Sequence, residues 1–73
     1  MMAIRYHADV NYINPQGHMD MAQTFNYASM AEAEAEANGI IRSLTEHGCK
    51  DIKMYIRKVW CVVDEEGSVI KED

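Results

Sequence analysis

The fragment His47-Gly48-Cys49 sets an imidazole and a thiol two positions apart, which is how many metal sites begin. A closed zinc site needs four ligands, usually as two separated pairs. The other candidates are Cys61, His7 and His18, and they fall on different strands with no recognisable spacing. No metal is therefore expected; His47 reads as a favourable charge near a helix C-terminus and Cys49 as a small buried residue. Glu32, Glu34 and Glu36 could imitate a paired-carboxylate acid/base site, but nothing in the sequence buries one and raises its pKa. A solvated helix face explains them better. Ser29 would be a nucleophile only beside an oriented base, and Ser29-Met30-Ala31-Glu32 makes it a helix cap instead. The four glycines are scattered, so no phosphate-cradling loop exists. The expectation is a chain that is not an enzyme and takes no cofactor.

Residues suited to binding are easier to find. Four of the seven basic residues, Lys50, Lys53, Arg57 and Lys58, fall within nine positions. Lys53, Tyr55 and Arg57 share a strand parity, and Arg5 and His7 would stand beside them. A basic row with a central aromatic suits single-stranded nucleic acid, because phosphates take the cations and a base stacks on the ring. A net charge of −5 and a pI near 5.0 oppose a dedicated nucleic-acid binder. Glu32, Glu34, Glu36 and Glu46 form an acidic helix that could meet a basic surface. Val59, Cys61 and Val63, with Ile70 opposite Cys61, make a possible apolar interface on the same strand face as Tyr55. A bulge at Lys58 would turn those residues inward instead.

The elements that carry these residues follow from period and punctuation. Ile4, Tyr6, Ala8, Val10 and Tyr12 alternate with polar residues, so the chain opens on a strand with one buried face. Asn14-Pro15-Gln16-Gly17 reads as a four-residue hairpin turn. Residues whose numbers sum to 31 should then face each other: Tyr12 with Met19, Val10 with Met21, Ala8 with Gln23, Tyr6 with Phe25 and Ile4 with Tyr27. The second strand, from Met19 to Tyr27, would be an edge with no proline, free to pair with a partner strand.

A helix follows, with Ala33, Ala37, Ile40, Ile41 and Leu44 as its buried stripe and His47-Gly48 as its stop. Asn38-Gly39 is a turn dipeptide within it, either a close approach to the sheet or a break into two short helices. Ile52 to Val63 is a long strand in which Lys58 interrupts the apolar parity, by snorkelling from the edge or by a bulge. Asp64-Glu65-Glu66-Gly67 repeats the first turn, and Ser68-Val69-Ile70 returns. The expected fold class is α+β: β-β-α-β-β, a four-stranded antiparallel sheet in the order 2-1-3-4 with one helix on one face.

Seventy-three residues make one domain, 1–73, with a core near the lower limit for independent folding. No apolar run approaches the ~18 residues of a membrane span, so no membrane association is expected. The opening residues lack the apolar stretch of an export signal. Two cysteines are too few for a disulfide framework, which with that start fits a cytoplasmic chain with free thiols.

A chain of this length laid out as hairpin, single helix and hairpin resembles several compact phage-encoded anti-CRISPR inhibitors. The resemblance covers nearly the whole chain as architecture and carries no residue with it. It implies action without catalysis, by covering a nucleic-acid or partner surface of a CRISPR effector. The leading expectation is accordingly a small non-enzymatic binding protein that occupies a surface of a macromolecular partner, a protein first. The alternatives are a single-stranded nucleic-acid-binding module working through the open sheet face and a homodimeric structural subunit.

Overall fold

A computed structural model describes residues 1–72. The elements are β1 (Met2–Ile13), β2 (Met19–Gln23), α1 (Met30–Glu46), β3 (Lys50–Val63) and β4 (Val69–Glu72). They form one antiparallel sheet in the order β2-β1-β3-β4 with the helix on one face, the expected architecture. Alternation on β1 and β3 supplies the buried face. Ala8 and Val10 pack with Ala37, and Tyr12, Ile40, Ile41, Leu44, Ile52, Met54 and Ile56 surround them. Alanines at 33 and 37, both fully buried, let the helix lie close on the strands.

The helix begins where the capping box places it. Ser29 is extended (φ −135°), its Oγ accepts the Glu32 N–H at 3.3 Å, and its hydroxyl donates to the Glu32 carboxylate at 2.9 Å. Such a cap contributes about 1 kcal/mol. The helix runs unbroken through Asn38-Gly39. Gly39 is exposed with open space where a Cβ would stand, so it marks neither a break nor a close approach. Gly48 (φ +83°) ends the helix, and the Cys49 N–H returns to Leu44 O at 3.0 Å.

The first hairpin pairs one step away from expectation. Asn14 N–H donates to His18 O at 2.8 Å, while the Asn14 carboxamide oxygen accepts the N–H groups of Gln16 and His18. Asn14 therefore belongs to the ladder, and the loop holds three residues, Pro15, Gln16 and Gly17, the last with φ +86°. Facing residues now sum to 32, as in Val10↔Ala22 and Asn11↔Met21. One step of register moves a whole strand to the other face. Met19 and Met21, expected in the core against Tyr12 and Val10, lie on the side away from the helix instead. Beyond Thr24 the chain carries one extra residue before Tyr27, which exchanges both backbone bonds with Tyr6 at 2.7 Å. Tyr6 thus faces Tyr27, not Phe25, and Ile4 faces Trp60. The second turn is built the same way, with Asp64 in place of Asn14 and Gly67 at φ +86°.

The Lys58 question resolves without a bulge. The β1–β3 register is constant from Met2↔Val62 to Asn11↔Lys53, so Lys58 simply stands on the helix-side face, exposed, opposite Tyr6. The irregularity lies further along, between Asn11 and Ile13, where Asp51 takes φ +51°.

A candidate binding face on the open side of the sheet

The side of the sheet away from the helix carries the odd-numbered residues of β1 and β3. Register sets Arg5 beside Val59, His7 beside Arg57, Asp9 beside Tyr55 and Asn11 beside Lys53. All five residues expected there, Arg5, His7, Lys53, Tyr55 and Arg57, thus share one surface. They do not form a free basic row. Arg5 Nη2 donates to Gly67 O at 3.0 Å and Nη1 to Ile4 O at 3.0 Å, and Arg57 pairs with Asp9 at 3.5 Å.

Asp9, unremarked in the sequence, organises the centre. It is 7% exposed, and His7 beside it 6%. The Asp9 carboxylate accepts Gln23 Nε2 at 2.9 Å and lies 3.2 Å from His7 Nε2. His7 Nδ1 lies 3.1 Å from the Asn26 carboxamide oxygen, so both ring nitrogens are engaged within the protein. No buried side-chain nitrogen or oxygen among the described residues lacks a partner. The cluster packs as a satisfied polar plug under the open face.

Toward the first turn the face becomes apolar and hollow. Asn11, Tyr12, Ile13, Met19, Asp51, Lys53 and Tyr55 line a half-open cleft of about 530 Å3. Met19 is 86% exposed, and Met21 and Tyr55 each 52%. The β1–β3 irregularity and the positive φ of Asp51 lie at the mouth of this cleft. Met19, Met21, Asp9 and Asp51 are the residues that sequence reasoning missed here. A signal for the methionines existed in Asn14, whose side chain can mimic a turn and shorten the loop by one.

The apolar patch expected at the other end is closed. Cys61 and Val63 are buried and Val59 half-buried, and at this end the β3–β4 turn is tied back to β1 by the Arg5–Gly67 bond. Reciprocal bonds tie the first residue to Val63: its terminal amine reaches Val63 O at 3.4 Å, and Val63 N–H donates to Met1 O at 2.7 Å. Ile70 alone of that set is exposed, as the extra residue where the β3–β4 register shifts.

The acidic residues do not gather on one surface. At ~100° per residue Glu32, Glu36 and Glu46 share a side of α1, whereas Glu34 flanks the opposite side of the buried stripe. Glu36 is already engaged, accepting the Tyr27 hydroxyl at 2.8 Å and the Phe25 N–H at 3.1 Å. That bond first, then burial, raises the Tyr27 phenol above its ordinary value of 10.0. Burial first, then Asp20, does the same for Tyr12.

The β2 edge is guarded as well. The Met21 N–H, which faces outward, donates to the Asp20 carboxylate at 2.8 Å, and Phe25 N–H is taken by Glu36. Carboxylates thus blunt the donors that a visiting strand would need. His47 Nδ1 lies 2.7 Å from Ser43 O in its own helix, while the Cys49 side chain is half-buried and that of Cys61 buried. No helix among the described residues is long and apolar enough to cross a membrane.

Comparison of the chain with protein-family models, curated proteins and solved structures gives no match.

Proposed function

We propose that this chain is a small non-enzymatic binding protein that covers a surface of a protein partner with the open face of its sheet. The observation that carries this reading is the first-hairpin register, which turns Met19 and Met21 to the uncovered side, where Met19 and Tyr55 line one cleft. Methionine is unbranched and polarisable, so it adapts to irregular apolar partners. Exposed apolar side chains beside a polar, internally satisfied plug resemble the core and rim of a protein interface. Mass action is the whole mechanism: binding hides the partner's surface, and no covalent bond changes. An inhibitor of a nucleic-acid-handling complex is one form this activity takes.

The face favours protein over single-stranded nucleic acid. Asp9 neutralises Arg57, Arg5 is turned toward the Gly67 carbonyl, and Asp51 shares the cleft with Lys53. A polyanion would meet the Asp51 carboxylate in the groove and find Arg5 and Arg57 already partnered.

The test is a pull-down from native cells with the intact chain, run beside Met19→Glu and Tyr55→Ala baits that keep the native circular-dichroism spectrum. A protein retained by the wild type and lost with both variants supports the reading. Retention unchanged by either variant refutes it, and so does tight binding to oligonucleotides that falls steeply with salt and with Tyr55→Ala.

A further inference from the structure

The β2 edge of the sheet is guarded, but the opposite edge is not. Tyr6 exchanges both backbone bonds with Tyr27, and the Ala8 carbonyl accepts the Thr24 N–H, so even-numbered residues of β1 turn their backbone groups toward β2. Odd-numbered residues of β1 therefore bond to β3, with Lys53, Tyr55, Arg57 and Val59 as their partners. Backbone groups alternate along a strand, so the N–H and C=O of Met54, Ile56 and Lys58 point to the other side. β4 stands on that side only against Cys61 to Val63. Among the described residues, no strand and no side chain takes the outward groups of Met54, Ile56 and Lys58. The middle of β3 is thus an open edge.

We infer that this edge receives an extended acidic and apolar segment of a protein partner, which joins the sheet antiparallel to β3, in line with β4. Backbone chemistry calls for a strand, because an extended chain offers donors and acceptors at the matching spacing. Side chains specify its sequence. Met54 and Ile56 are half-buried at the border of the core, so the residues facing them are apolar. Lys53 and Lys58 are exposed and make no ion pair, and Arg57 is 65% exposed with Asp9 at 3.5 Å, so the residues facing these three are carboxylates. Neighbouring elements carry Asp9, Asp51 and Glu34, the last on the β3 side of α1 because Glu36 reaches Tyr27 on the β2 side; neither lysine is paired with any of them. A second copy fits less well. Paired about Met54 it sets Lys50 against Lys58 twice, about Tyr55 it sets Lys53 against Arg57 twice, and about Ile56 it faces Lys58 with Met54. A net charge of −5 opposes an acidic visitor at long range, so the lysines act at contact. The inference is independent of the open-face reading, because it uses backbone groups at the edge and Met19 takes no part in it.

The probe is the end-capped heptapeptide Thr-Glu-Glu-Val-Thr-Val-Glu, about 20 Å long when extended, which in antiparallel register sets glutamates against Lys58, Arg57 and Lys53. Amide exchange followed by NMR should be fast at Met54, Ile56 and Lys58 in the peptide-free chain and slow at Tyr55, Arg57 and Val59. The peptide should slow the first three by about fivefold or more. N-methylation of the three peptide residues that face Met54, Ile56 and Lys58 should abolish that effect, whereas N-methylation of the residues between and after them should leave it. Joint Lys53→Glu and Lys58→Glu substitution should weaken binding about tenfold, and a peptide with lysine in place of each glutamate should recover it. Met19→Glu should change none of these results, which separates this inference from the open-face reading. Four outcomes would each overturn it: slow exchange at Met54, Ile56 and Lys58 in the dilute peptide-free chain, no slowing by ~1 mM peptide, equal effects of the two N-methylation patterns, or slowing with chain concentration alone. The last would make a second copy the occupant.

Discussion

Replacing Asp9 with alanine should remove a large part of the stability of this domain. Asp9 is buried, and its carboxylate meets Gln23 Nε2 at 2.9 Å and His7 Nε2 at 3.2 Å. Each hydrogen bond to a charged group contributes roughly 1.5–3 kcal/mol, and a buried donor left without its acceptor carries the full desolvation cost. The Arg57 contact adds little, since that side chain is 65% exposed and the pair is screened by water. Because Gln23 is exposed, about 1–1.5 kcal/mol for each of the two inner contacts gives a loss of about 2–3 kcal/mol. A domain of this size has roughly 4–11 kcal/mol in total. With a urea slope near 1 kcal/mol per molar, the unfolding midpoint should fall by about 2–3 M. Urea titrations followed by circular dichroism and by Trp60 fluorescence measure it, with Arg57→Ala as the control expected to cost under ~0.5 kcal/mol. A midpoint shift below about 0.5 M for Asp9→Ala, or an equal loss for Arg57→Ala, would show that the surface ion pair and not the buried bonds holds the cluster.

Other substitutions probe different links. Gly39→Ala should stabilise the chain by about 0.5–1 kcal/mol, because Gly39 sits in the helix with nothing within 4 Å of a Cβ; thermal melts check the sign. Ala37→Leu should destabilise it by about 1–3 kcal/mol, since Ala37 is fully buried between helix and sheet. The Tyr27 phenol titrates above 10.0 in the fold, so its contribution to stability is present below pH ~10 and is lost as pH rises through the raised value. Glu36→Gln should lower the Tyr27 titration toward 10.0, read from phenolate absorbance, and an unchanged curve would remove Glu36 as the cause. Met19→Glu should leave the unfolding free energy from urea titration within ~0.5 kcal/mol of wild type, because an 86% exposed side chain contributes little to folding.

Elements whose cause lies within a few residues were legible along the chain. The Ser29 cap with Glu32, the period of the buried stripe from Ala33 to Leu44, the Gly48 stop and the alternation of β1 each depend on neighbours in sequence. Strand order 2-1-3-4 follows from them by the handedness of crossovers. Lys53, Tyr55, Arg57, Arg5 and His7 came to one face for the same reason, since parity alone assigns a strand's side chains to a side.

Register and coverage depended on contacts distant in sequence. Whether Asn14 closes the loop or opens it rests on two hydrogen bonds of its side chain, and that single step exchanged the buried and exposed halves of β2. Parity likewise placed Val59, Cys61 and Val63 on the open face, yet Cys61 and Val63 are buried at the end where Arg5 holds the β3–β4 turn from 62 residues away. The reverse holds at Trp60, which shares the helix-side parity of Met54 and Ile56 yet is 53% exposed. Periodicity states which side a residue faces; what covers that side depends on the lengths of elements and on where loops land. Those are properties of the assembled fold, settled by packing and hydrogen bonding across the whole chain.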